Sequence, residues 1–107
     1  MIIRQAFFDG SIRQGCSGQF RTYVAERLLP LWRRFPGVRE VRVLHGVARD
    51  DGAPDYAMVL SMAFDSEAAL ADALDSSVRY ESREVTKGLM AMFEGHIHHH
   101  VFAVAQG

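Results

Sequence analysis

Apolar residues recur along this chain with two periods, and the order in which the periods alternate predicts its elements. Ile2 to Phe8 is a continuous β-prone run, which gives way at Asp9-Gly10-Ser11 and Gly15-Cys16-Ser17-Gly18 to a turn-rich connection. From Gln19 to Phe35 the apolar positions Phe20, Val24, Leu28, Leu31 and Phe35 fall on one face of a helix. Ser17 stands where an N-cap is expected. Pro30 lacks a backbone donor and predicts a bend or restart within the helix, and Pro36-Gly37 stops it.

Val38 to Gly46 reads as a second strand, with Val41, Val43 and His45 on one face and Arg42, Leu44 and Gly46 on the other. The turn formers between Ala48 and Asp55 predict a hairpin loop. Tyr56 to Phe64 follows as strand three, with the large residues Met58, Leu60, Met62 and Phe64 on one face and Ala57, Val59, Ser61 and Ala63 on the other. Asp65 or Ser66 caps a second helical region, where Glu67 complements the helix dipole. Its apolar set runs through Ala69, Leu70, Ala73 and Leu74, then Val78, Val85, Leu89 and Met92, with a break expected around Asp75-Ser76-Ser77. Gly95 is expected to end this region, and Ile97 to Val104 to form the last strand. The order β-α-β-β-α-β fills residues 1–107 as a single α+β domain with a four-stranded antiparallel sheet.

That order has a consequence for assembly. Right-handed crossovers put both helical regions on one face of the sheet and leave the other face open. A solvated face should be polar. Strand three instead offers Ala57, Val59, Ser61 and Ala63, and the last strand carries apolar residues on both sides, Val101 and Ala103 against Phe102 and Val104. Packing two open faces together gives a homodimer and a closed or nearly closed barrel, with a cavity between sheet and sheet as the default ligand site.

Composition narrows the partners. A fold of 107 residues buries roughly 65% of its unfolded surface, enough for one core. Twelve Lys and Arg against 13 Asp and Glu leave a net charge of -1, so no positive field is present to hold a phosphate backbone, and nucleic acid is not an expected partner. There is no leader pattern and no apolar run of membrane-spanning length, and the single cysteine, Cys16, fits a reducing compartment; a cytoplasmic protein without a membrane partner is expected. No phosphate-binding glycine loop, nucleophile elbow or paired-cysteine metal motif occurs.

The segment from Phe20 to Val38, with Pro30-Leu31 and then Pro36-Gly37 before a strand, resembles the first helix of EthD-like proteins, and Tyr56 through Leu70 resembles their third strand and second helix start. The resemblance spans nearly the whole chain and places it with the dimeric α/β barrel proteins, alongside antibiotic-biosynthesis monooxygenases and muconolactone isomerases. It implies a ferredoxin-like homodimer with a pocket between sheet and helices, binding a small apolar, aromatic or polyketide-like molecule. Cofactor-free oxygenation or isomerisation is the implied activity; whether this chain converts its ligand is left open. The alternative is a non-catalytic ligand-binding or dimerisation module. Haem-degrading relatives use a histidine in the second helical region, and Asp75 to Arg83 has none, so no cofactor is expected.

The sharpest local feature is Gly95-His96-Ile97-His98-His99-His100-Val101. On a strand His96, His98 and His100 share a face and His99 points the other way. The plain reading is that they line a seam or cavity; in the catalytic reading His98 or His100 transfers a proton, while Tyr23, Arg42, His45 and Ser61 border the ligand pocket. A metal held by His96, His98 and His100 is the weaker alternative, because same-face neighbours lie about 6.6 Å apart and three would span about 13 Å. Cys16 reads as a turn residue. The charges of Arg79, Glu81, Arg83, Glu84 and Lys87 read as a solvated helix face.

Overall fold

The computed structural model describes residues 1–107. Its elements are β1 (Ile2–Ile12), α1 (Ser17–Tyr23), a π-helical turn (Val24–Leu28), α2 (Leu29–Trp32), β2 (Glu40–His45), β3 (Tyr56–Phe64), α3 (Glu67–Leu74), α4 (Ser77–Met90) and β4 (Phe93–Ala103). The strands form one antiparallel sheet in the order β2-β3-β1-β4. This is the expected ferredoxin-like α+β fold.

The first helical region shows how proline shapes it. Pro30 has no N–H, and its ring would strike the carbonyl four residues earlier. The chain widens into a π turn just before it, with the Leu29 N–H bonded to the Val24 carbonyl, and restarts with Pro30 in the first turn of α2. Cys16, not Ser17, occupies the N-cap position, and its side chain makes no capping bond. Ser66 and Ser76 do cap: their hydroxyls accept from Ala69 N at 3.1 Å and Arg79 N at 3.3 Å, which splits the second region at the expected place.

The core lies between the helices and one sheet face. Phe8, Phe20, Leu28, Met58, Met62, Phe64 and Leu89 are almost wholly buried there. Burying each such side chain is worth about 1.5–3 kcal/mol, and the rings of Phe8, Phe20 and Phe93 meet at centroid distances of 5.9–6.4 Å.

β1 and β4 run longer than expected because glycine sits inside both. Gly10 pairs with Gly95 at φ 144° and 147°, where a Cβ would lie 2.1 Å from the facing backbone oxygen of Glu94 or Asp9. Only two glycines let the strands continue through that point. Gly95 therefore lies within β4 instead of ending the helical region, and the strand begins at Phe93.

Candidate functional site

Strand alternation assigns each side chain to a sheet face. Facing the helices are Arg4, Ala6 and Phe8 from β1, Leu60 and Met62 from β3, and Ile97 and His99 from β4; Ala6 stands directly opposite His99 in the β1–β4 register. α4 presents Arg79, Ser82, Arg83 and Thr86, spaced on one helical face, and the first helical region ends nearby with Trp32 and Phe35. Together these residues line a half-open cavity of about 290 Å³.

Its floor is apolar and one wall is cationic. Arg4 is half-buried, and burial, reinforced by the Arg79 guanidinium, pushes its pKa down to about 10. None of Arg4, Arg79 and Arg83 forms an ion pair with a carboxylate, and Arg79 spends one N–H on the Leu74 carbonyl at 3.2 Å. The Ser82 and Thr86 hydroxyls donate backwards to the carbonyls of Arg79 and Ser82, at 2.8 and 2.7 Å, so their donors are already committed. His99 is exposed at the cavity's edge, and desolvation of its ring, then Arg4, Arg79 and His98, push its pKa down to about 4, which leaves it unprotonated near neutral pH. The site thus joins an apolar floor, positive charge without counter-ion and an unprotonated imidazole.

The residues singled out from sequence lie elsewhere. His98 and His100 stand on the open sheet face, around Phe7, with ring centroids 5.4 Å from it in both cases. Ser61 is on that face too, beside Gln5 at 3.5 Å, and so is Arg42, which pairs with Glu40 at 2.7 Å and is exposed. His45 is on the helix side but at the end of β2, away from the cavity. Its Nδ1 is buried without a hydrogen-bond partner, and burial, then Arg21, lowers its pKa. Tyr23 lies between helices, donating to the Val85 carbonyl at 2.7 Å beneath the Arg27 guanidinium.

The structure brings together a different set, Arg4, Arg79, Arg83 and His99. The charges of α4 divide: Glu81, Glu84 and Lys87 are solvated, Arg79 is half-buried against the cavity, and Arg83, itself exposed, borders its mouth. One signal for this was present, the spacing of Arg79, Ser82, Arg83 and Thr86 on one helical face, but a basic stripe on a helix is usually solvated.

Neither a family model nor a curated protein sequence matches the chain. Solved structures do. A Bacillus halodurans protein of the EthD family (ethyl tert-butyl ether D) superposes with a TM-score of 0.74 at 17% identity, covering 97% of this chain and 98% of that one. The fold is EthD-like. It is also that of SnoaB, a cofactor-independent oxygenase from Streptomyces nogalater, seen as its N63A mutant (TM-score 0.62, 19% identity, 99% and 93% covered). A dimeric ferredoxin-like protein of unknown function from Thermobifida fusca shares it as well (0.65, 15%, 96% and 90%). The EthD-like resemblance read in the sequence therefore holds at the level of fold. No helix of the chain is long and apolar enough to cross a membrane.

Proposed function

We propose that this chain is a homodimeric pocket protein that binds a small aromatic or polyketide-like molecule carrying an anionic oxygen in the cavity between sheet and helices, and converts it by proton transfer. The observation that carries the reading is the pairing of Arg4 with Arg79 over an apolar floor, two guanidiniums without a carboxylate partner. A carboxylate, phenolate or enolate oxygen would supply the missing counter-charge, and Phe8, Trp32, Phe35 and Met62 would take the ring.

Proton transfer follows from His99. A neutral imidazole has a free electron pair; desolvation first, and then the positive field of Arg4 and Arg79, keep it weakly basic, and an entering anion offsets the second of these. The bound molecule loses a C–H or O–H proton to His99, and the charge left on its oxygen is stabilised by the guanidiniums. Returning the proton to another carbon completes an isomerisation; passing the electrons to molecular oxygen as co-substrate begins a cofactor-free oxygenation. The antibiotic-biosynthesis and SnoaB folds are compatible scaffolds for either.

Dimerisation through the open sheet face is part of the same reading. Leu44 and Phe102 are 46% and 47% exposed there, beside Ile3, Phe7 and Val59, and a second copy would cover them in the reducing cytoplasm, where Cys16 stays a thiol.

Trp32, the sole tryptophan, lies in the cavity wall, so its fluorescence reports occupancy directly. Titration with a panel of aromatic carboxylates and their neutral amides should show the carboxylates binding at least about tenfold more tightly, a preference lost in Arg79→Gln. His99→Ala should keep binding and lose turnover. Equal affinity for acids and amides, unchanged by Arg79→Gln, would refute the anion site.

A further inference from the structure

On the opposite face of the sheet from the cavity, at the β1–β4 end, the register puts Asp9 directly across from His96, with His98 next along the same face. The His96 Nε2 lies 3.6 Å from an Asp9 carboxylate oxygen, and the His96 and His98 ring centroids are 5.7 Å apart. One donor atom from each of the three residues falls within 4.8 Å of the other two. We propose that Asp9, His96 and His98 form a binding site for a divalent transition-metal ion.

The chemistry of the donors defines the ion. Two imidazoles and one carboxylate are the mixed nitrogen and oxygen set that suits Zn(II), Co(II), Ni(II) or Cu(II), whereas Mg(II) and Ca(II) favour oxygen alone. Bonds of about 2.1 Å arranged tetrahedrally separate ligand atoms by about 3.4 Å, so the donors must close by at most about 1.4 Å, within reach of side-chain rotation. At least one coordination position is left for water.

Three features of the fold favour this set over the row of histidines alone. Asp9 has no lysine or arginine within ion-pair distance, and its one charged-pair contact is His96. The Gly10–Gly95 pair beside it allows the two strands to pass at a separation no side chain would permit, which holds Asp9 against His96. His98 is oriented by aromatic neighbours, stacked on Phe7 at 5.4 Å and 22° and edge-on to Tyr56 at 5.7 Å. His100 lies further along β4: its ring stands 5.5 Å from that of His98, but it pairs across the sheet with Gln5, far along β1 from Asp9, which leaves it out of reach of that carboxylate. An ion here ties β1 to β4 and is independent of what the cavity binds.

The test uses untagged protein, stripped with EDTA and dialysed, titrated with Zn(II) by calorimetry and with Co(II) by visible absorption at pH 7.5. The expected result is one ion per chain, Co(II) d–d bands of a nitrogen and oxygen site, and a melting temperature that rises with Zn(II) and falls back with EDTA. His96→Ala and Asp9→Asn should each weaken binding about tenfold or more, and His100→Ala should leave it within about twofold. All three residues are at least partly solvent-accessible in the single chain and none belongs to its core, so circular dichroism should show the variants folded. The absence of saturable binding to the wild-type chain would overturn the site, and so would binding that Asp9→Asn leaves unchanged while His100→Ala removes it.

Discussion

The hydroxyl of Tyr23 donates to the backbone carbonyl of Val85 at 2.7 Å, joining the end of α1 to the middle of α4. The contact requires Gly88, where a Cβ would lie 2.2 Å from the Tyr23 oxygen. Tyr23→Phe should therefore cost about 1 kcal/mol, the value of a partly buried hydrogen bond. Gly88→Ala should fail to deliver the roughly 1 kcal/mol that alanine usually adds to a helix, because the ring must move and its bond break. Denaturant melts of both single mutants and the double mutant check this: once Phe removes the hydroxyl, alanine at position 88 should become less harmful.

Arg4 is a half-buried cation beside a second cation, which costs stability in the empty protein. Arg4→Met should raise stability by about 1 kcal/mol, several degrees in Tm, while weakening anionic ligands about tenfold or more. Calorimetry and Trp32 fluorescence on the same variant measure the two effects. A variant that lost both stability and binding would contradict the reading of Arg4 as a ligand-binding group.

His99 is depressed to about 4 from the ordinary imidazole value of 6.5, so below pH 6.5 the unfolded chain binds a proton that the folded chain refuses. Its contribution is complete above pH 6.5, is lost as the pH falls towards 4, and changes no further below that. Because water reaches part of the ring, the loss is smaller than the shift alone would give. Melting temperatures from pH 7 to 4 should fall, and His99→Gln should flatten much of that slope. The lowered pKa of His45 acts in the same direction and accounts for part of the remainder.

Ser76 both accepts from Arg79 N at 3.3 Å and donates to the Ala73 carbonyl at 2.6 Å, closing the joint between α3 and α4. Ser76→Ala should cost about 1 kcal/mol in a urea melt. Arg79 lies in the first turn of α4, so the same substitution should loosen one wall of the cavity and weaken aromatic carboxylates.

Val59 lies on the open sheet face between Leu44 and Phe7. Val59→Glu places a charge in the centre of the proposed dimer contact. Sedimentation should find a dimer for the parent chain and a monomer for the variant, with helix and strand content unchanged; a parent that sediments as a monomer would remove the homodimer from the proposal.

The fold was legible because each element is encoded in a short span. Met58, Leu60, Met62 and Phe64 alternate cleanly enough to fix both the extent and the buried face of β3, and all four are buried. The break at Ser76 was legible for the same reason, since a capping hydroxyl acts on a backbone N–H three residues away. Missed features involve two distant segments at once. Gly95 looks like a terminator until Gly10 is set against it, and Tyr23 looks like a pocket residue until Val85 and Gly88 are placed beside it.

The histidine run draws the line most sharply. A two-residue period was sufficient to separate His99 from His96, His98 and His100, because successive side chains on a strand must point to opposite faces. Which of those faces the helices cover is a property of the assembled sheet, set by the crossovers and by the pairing of Ala6 with His99 and Asp9 with His96. Local sequence therefore determined the elements and their two-sidedness, whereas only the tertiary structure decided that His99 joins Arg4 and Arg79 in the cavity, because a charge and an imidazole interact through distance in space and those three residues meet only when β1, α4 and β4 pack.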